Sequence, residues 1–144
     1  MRITSSARFG VFQRSVSDLK DLTITIPIPP TILSPNARAH WAAKAKAVRY
    51  HREAAKIATV AAAIAVGHRS IDTASWREVV LRTTWYATSK RRRDRDNAYA
   101  SLKAARDGIA DAFGVDDEIF IPMPVKFAKD KTLPRVEILI SIEE

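Results

Sequence analysis

Cysteine is absent from the 144-residue chain. That excludes a disulfide scaffold and any zinc site built on thiolates, and it suits a reducing compartment. Histidine occurs only at 40, 51 and 68. The three share no metal-ligand spacing, so each is read as structural or exposed. No run approaches the roughly 20 apolar residues of a membrane span, and residues 1–20 lack the apolar stretch of a secretory signal. The expectation is a cytoplasmic protein that does not enter membranes. Internal repeats are missing too, and with 47% hydrophobic and 28% charged residues the composition is neither fibrous nor disordered. Acid is the scarcer charge: 24 Lys and Arg face 16 Asp and Glu, for a net charge of +8 and a pI near 10.1. Such a balance favours polyanionic partners, nucleic acid above all.

What is present organises as one domain, 21–144, behind a flexible extension, 1–20, that lacks a sustained period. Leu22, Ile24, Ile26 and Ile28 alternate with polar residues and Pro27, which predicts a strand ended by Pro29 and Pro30. Ser34 or Asn36 is positioned to cap a long helix over about 38–66, a stretch free of Gly and Pro that Gly67 terminates. Helical spacing puts Arg49, Arg52 and Lys56 on one side and Tyr50, Ile57 and Ile64 on the opposite one, so the latter stripe is the expected core face. A strand is predicted over 77–86, a helix over 97–113 ending at Gly114, and two closing strands over 120–127 and 135–142. Trp41, Trp76 and Trp85 are read as packing residues. The fold class is α+β, a small mixed sheet packed against two main helices.

Charge is segregated along the chain. Residues 38–93 carry thirteen Lys and Arg against three acids, a balance of +10, whereas 94–118 carry seven acids against three bases, a balance of −4. A basic surface beside clustered carboxylates is the layout of a metal-dependent nuclease: cations attract phosphate and carboxylates hold Mg²⁺. Asp94 and Asp96, two apart in an extended stretch, can share a cation. Taken singly, either is more often a helix cap, and Asp116 with Asp117 more often marks a turn. Lys103, Asp107 and Asp111 recur every four residues and stack on one helix face, where Lys103 with Asp107 is ordinarily an exposed ion pair.

RRRDRDN (91–97), LKAARDGI (102–109) and DDEI (116–119), with IPIPPTILSPNARAHW (26–41) upstream, resemble the RusA family of Holliday-junction resolvases over roughly 22–142. The resemblance implies a Mg²⁺-dependent endodeoxyribonuclease, with Mn²⁺ as substitute metal and no organic cofactor. It would act as a homodimer, bacterial and of phage or prophage type, making paired symmetric nicks in four-way DNA junctions during recombination and repair. By the same resemblance Asp94, Asp96 and Asp117 would bind metal, joined by Asp116. Lys103 would be the catalytic lysine, and Asn97 and Asp107 supporting residues. Lys103 follows Asn97 by six residues instead of the family's three, a difference of almost one helical turn. Arg49, Arg52, Lys56, Lys90, Arg91, Arg92 and Arg93 are the expected phosphate grips. The alternatives are a catalytically impaired protein that binds branched DNA and a flap or fork nuclease with the same residues.

Overall fold

The protein's structure, a computed structural model, describes residues 19–89 and 94–143. Among these residues five strands and three α-helices follow in the order β1 (Asp21–Ile26), α1 (Trp41–Ala65), β2 (Glu78–Ala87), α2 (Arg95–Ser101), α3 (Lys103–Phe113), β3 (Phe120–Pro122), β4 (Lys126–Lys129) and β5 (Arg135–Glu143). One mixed sheet has the order β1-β5-β2-β3, and β4 continues β3 along the same edge of β2. β5 runs antiparallel to both β1 and β2, with Ile24 opposite Ile138 and Leu81 opposite Ile140, whereas β3 and β4 are parallel to β2. The single strand expected over 120–127 is thus two. Its first part pairs with Val79–Leu81 and its second with Thr84–Ala87.

Strand alternation works as the period-two pattern requires. Leu22, Ile24 and Ile26 of β1, Val79 and Leu81 of β2, and Val136, Ile138 and Ile140 of β5 are all buried, and they form one core with Leu102, Ala105, Ile109 and Phe113 of the helical layer. Leu19, placed in the expected extension, is also in this core, and the Ile142 amide donates to the Lys20 carbonyl, so the folded domain already includes residue 19.

The helices depart from expectation in three ways. Neither Ser34 nor Asn36 caps α1. Ser34 closes a one-turn 3₁₀ helix (Thr31–Leu33), and the cap is His40, whose Nδ1 accepts from the Ala42 amide at 3.1 Å. The helix predicted over 97–113 breaks at Leu102 (φ −94°, ψ 7°) into α2 and α3. The Tyr50, Ile57 and Ile64 stripe does not face the core: these side chains are 70%, 60% and 50% exposed, and α1 instead buries His51, Ala55, Thr59 and Ala63. The cause is close packing of α1 on α3. A Cβ built on Gly108 would lie 2.1 Å from the Arg52 carbonyl oxygen and 3.0 Å from the Ala55 Cβ, a separation that only small residues on both helices permit. Helix α1 ends as expected, with Gly67 at φ 96° and the His68 amide donating to the Ala63 carbonyl. Trp76 packs edge-on against Phe113 at 4.9 Å and Trp85 is buried near Phe127, but Trp41 is 76% exposed and stacks on His40. No helix among the described residues is long and apolar enough to cross a membrane.

Candidate nucleic-acid and cation site

Helix α3 carries the centre of the site. Its apolar residues Ala105 and Ile109 are fully buried, which turns Lys103, Asp107 and Asp111, spaced by one turn, toward solvent. At Gly114 the backbone takes the left-handed conformation (φ 68°), a turn that favours glycine, and the chain doubles back along the helix it has just left. Asp116 caps the following 3₁₀ turn by accepting from the Glu118 amide at 3.0 Å, and Asp117 opens that turn. Fourteen residues after Lys103, Asp117 therefore returns to it. Lys103 Nζ donates to Asp107 Oδ1 at 2.8 Å and to Asp117 Oδ2 at 3.2 Å.

These groups line an open groove of about 360 Å³ with Arg52, Ala110, Asp111 and Val115. Arg52 enters from α1 and holds Asp111 bidentately, its Nε 2.6 Å from Oδ2 and its second guanidinium nitrogen 2.9 Å from Oδ1. The hydrogen bond from Arg52 lowers the Asp111 carboxyl below the usual carboxylate range, and that from Lys103 does the same for Asp117. Bonding to Asp107, opposed by desolvation, raises the Lys103 ammonium, so it stays charged at neutral pH. Two cations thus face four carboxylates, Asp107, Asp111, Asp116 and Asp117, in an acidic groove on a basic protein. Lys103 and Asp107 also line a second groove of about 280 Å³ whose walls include Leu33, Pro35 and Val48, so the proline-rich loop after β1 reaches the site.

The donor set fits a hard divalent cation: every anionic group is a carboxylate, and Asp107 with Asp117 already shares one cation, the Lys103 ammonium. No three acidic or histidine side chains among the described residues come together as a metal cage. Mg²⁺ commonly uses one or two carboxylates and completes its shell with water and substrate phosphate. The acids Asp94, Asp96 and Asp117, expected as one metal set, are not gathered. Asp94 is the N-cap of α2, its Oδ1 accepting from the amides of Asp96 (2.8 Å) and Asn97 (3.1 Å), and neither Asp94 nor Asp96 lines the groove. Asn97 supports α2 through its carbonyl, which accepts from Ser101 Oγ at 2.7 Å.

Of the basic residues, Arg49 is exposed on α1 and Lys56 half-buried, while Lys90, Arg91, Arg92 and Arg93 lie outside the described residues. The groove depends on one residue that the charge pattern alone did not single out as functional, Asp111. Its four-residue spacing from Asp107 was the available signal, but its partner Arg52 is 59 positions away.

No protein-family model matches this chain. An uncharacterized protein of Xylella fastidiosa (strain Temecula1 / ATCC 700964) is 36% identical over 103 residues, a stretch that covers 72% of this chain and 65% of that protein. The chain thus spans just under two thirds of its relative's length, and the relative's name assigns no activity.

Proposed function

We propose that this protein is a Mg²⁺-dependent endonuclease acting on branched DNA, four-way junctions first, as a two-fold dimer with two cutting sites. The observation that carries the reading is the Lys103 ammonium held between Asp107 and Asp117 in the groove that Arg52 also enters. Four carboxylates would repel a phosphate unless cations balance them, so the groove suits a phosphodiester only with further positive charge. Asp107 and Asp117 would hold Mg²⁺, which supplies Lewis-acid neutralisation of charge on the phosphate. Lys103, already charged and aimed into the groove, then stabilises developing negative charge at the cleaved phosphate and the departing oxygen. Arg52 exchanges its carboxylate partner for a phosphate of matching fork geometry, and Arg49 and Lys56 extend the contact along α1. The RusA-like order of motifs supplies the substrate class.

A second reading, a protein that binds branched DNA without cutting it, is favoured by one observation: the Asp94 carboxylate is engaged as the cap of α2. Cleavage of a labelled four-way junction beside the matching duplex and a flap, with Mg²⁺ and with chelator, separates the readings. Paired Mg²⁺-dependent nicks in the junction, lost in Asp117→Asn, are the expected result. Junction binding without any cutting supports the second reading, and preferential flap cutting reassigns the substrate.

A further inference from the structure

The inward stripe of α1 does not end with the core. His51, Ala55, Thr59 and Ala63 are buried, and Val48, Lys44 and Trp41 continue the same stripe toward the N-terminus at helical spacing. Helix α3 does not follow them. It begins at Lys103, and its Ala104 shares the walls of the second groove, about 280 Å³, with Val48, so Lys44 and Trp41 project past the start of the neighbouring helix. Leu33 and Pro35 of the proline-rich loop supply further apolar wall. Trp41 is the most exposed large apolar side chain among the described residues, yet its ring is held. His40, fixed by its capping bond with the Ala42 amide, stacks on it with 5.6 Å between ring centroids and 29° between planes.

We propose that this second groove holds an unpaired DNA strand, which stacks on Trp41, passes between Val48 and the proline-rich loop, and brings a phosphate to Lys103. The phosphate's destination rests on the nuclease reading above; the binding of the strand does not. Three features favour this occupant. The first is the chemistry of the walls. A duplex offers phosphates, sugars and base edges, which gain little from Leu33, Pro35, Val48 and Ala104, whereas an unpaired base offers an apolar face. Ser101, also in the wall, donates its hydroxyl to the Asn97 carbonyl at 2.7 Å, so bases are held by their faces with little dependence on sequence. The second is charge. Residues 22–52 carry Arg38, Lys44, Lys46, Arg49 and Arg52 and no acid. Lys44 and Lys103 line the groove against Asp107, while the adjoining groove has four carboxylates, so a polyanion is attracted to this one first. The third is reach. Trp41 and Val48 are roughly 10 Å apart along the helix, about three stacked nucleotides. An unpaired flap fills that length directly, and a fully paired four-way junction does so only by opening at its branch point, which costs unpairing.

The test uses the full chain in chelator, so binding is read without cutting. In fluorescence anisotropy Trp41→Ala, a surface change with unaltered circular dichroism, should weaken binding of a labelled single strand about tenfold. Trp41→Phe should restore most of the loss, and duplex affinity should not move. Lys44→Ala should reduce the salt slope for the single strand by about 0.7. The absence of native cysteine allows a positional test. Val48→Cys should form a disulfide with a single strand carrying a thiol-tethered base and not with the same strand annealed to its complement. No single-strand binding by the wild type, equal affinity in Trp41→Ala, an equal loss for duplex, or crosslinking of Val48→Cys to duplex alone would each overturn the proposal. Single-strand binding that depends on Trp41, with no DNA cut in Mg²⁺, would support the groove and overturn the nuclease reading. Junction cutting in Mg²⁺ with single-strand affinity unchanged in Trp41→Ala would do the reverse.

Discussion

Gly108 is the residue on which the helical layer turns. Its missing Cβ is what lets the Arg52 backbone of α1 approach, so Gly108→Ala places a methyl group against a carbonyl oxygen that cannot yield without moving the helix. The expected cost is about 3 kcal/mol, read as a lower urea midpoint at unchanged slope. A second residue-scale prediction concerns His51, almost fully buried, with an Nε2 that has no hydrogen-bond partner among the described residues. Desolvation lowers the pKa of the ring, so the fold resists a proton that the unfolded chain accepts. Stability should hold above about pH 6.5, decline as the unfolded chain protonates, and level off once pH is below the ring's lowered value. His51→Gln should flatten that decline in urea titrations; an equal slope in the variant would assign it to another group. Asp111 and Asp117 act in a separate window. Their lowered pKa values contribute stability that is complete above the ordinary carboxylate range and lost as pH falls through those values, below about pH 4.

At the scale of elements, the N-terminus of α2 tests what Asp94 does. Its carboxylate caps two amides, a role that Asn fills nearly as well and Ala does not. Asp94→Ala should therefore cost about 1 kcal/mol while Asp94→Asn remains close to wild type in thermal unfolding. If Asp94→Asn folds normally yet loses junction cleavage, the side chain is needed as an anion as well as a cap. The break at Leu102 matters for the same region. Leu102 is buried and its backbone leaves the helical range, which makes Lys103 the first residue of α3 instead of a mid-helix position. Propensity over 97–113 gave no reason to expect it, because LKAARD contains no Gly or Pro before Gly108. The expected face of Lys103 and Asp107 survived, since a four-residue spacing within α3 is local and indifferent to where the helix begins.

For the whole molecule, the net charge of +8 and the acidic groove would make opposite demands on the proposed DNA substrate. Affinity for a four-way junction should fall steeply with salt, and Arg49→Ala or Lys56→Ala should each reduce the slope of log affinity against log salt by about one contact, with little change between junction sequences. A slope unchanged in both variants would remove α1 from the interface. The amino-acid sequence by itself determined much of this protein: the alternating strands β1 and β5, the stops at Gly67 and Gly114, the charge segregation, and the stacking of Lys103 on Asp107. All of these depend on neighbours a few residues apart, where strand and helix periods and glycine's backbone freedom act directly. Only the tertiary structure decided which face of α1 is inside, that Arg52 meets Asp111, and that Asp117 returns to Lys103. The hydrophobic pattern puts Tyr50, Ile57 and Ile64 in the core because it weighs size and polarity. The fold weighs distance instead: Gly108 lies so close to the Arg52 backbone and Ala55 that the contact itself admits only small groups, and the buried face of α1 becomes that of His51, Ala55, Thr59 and Ala63.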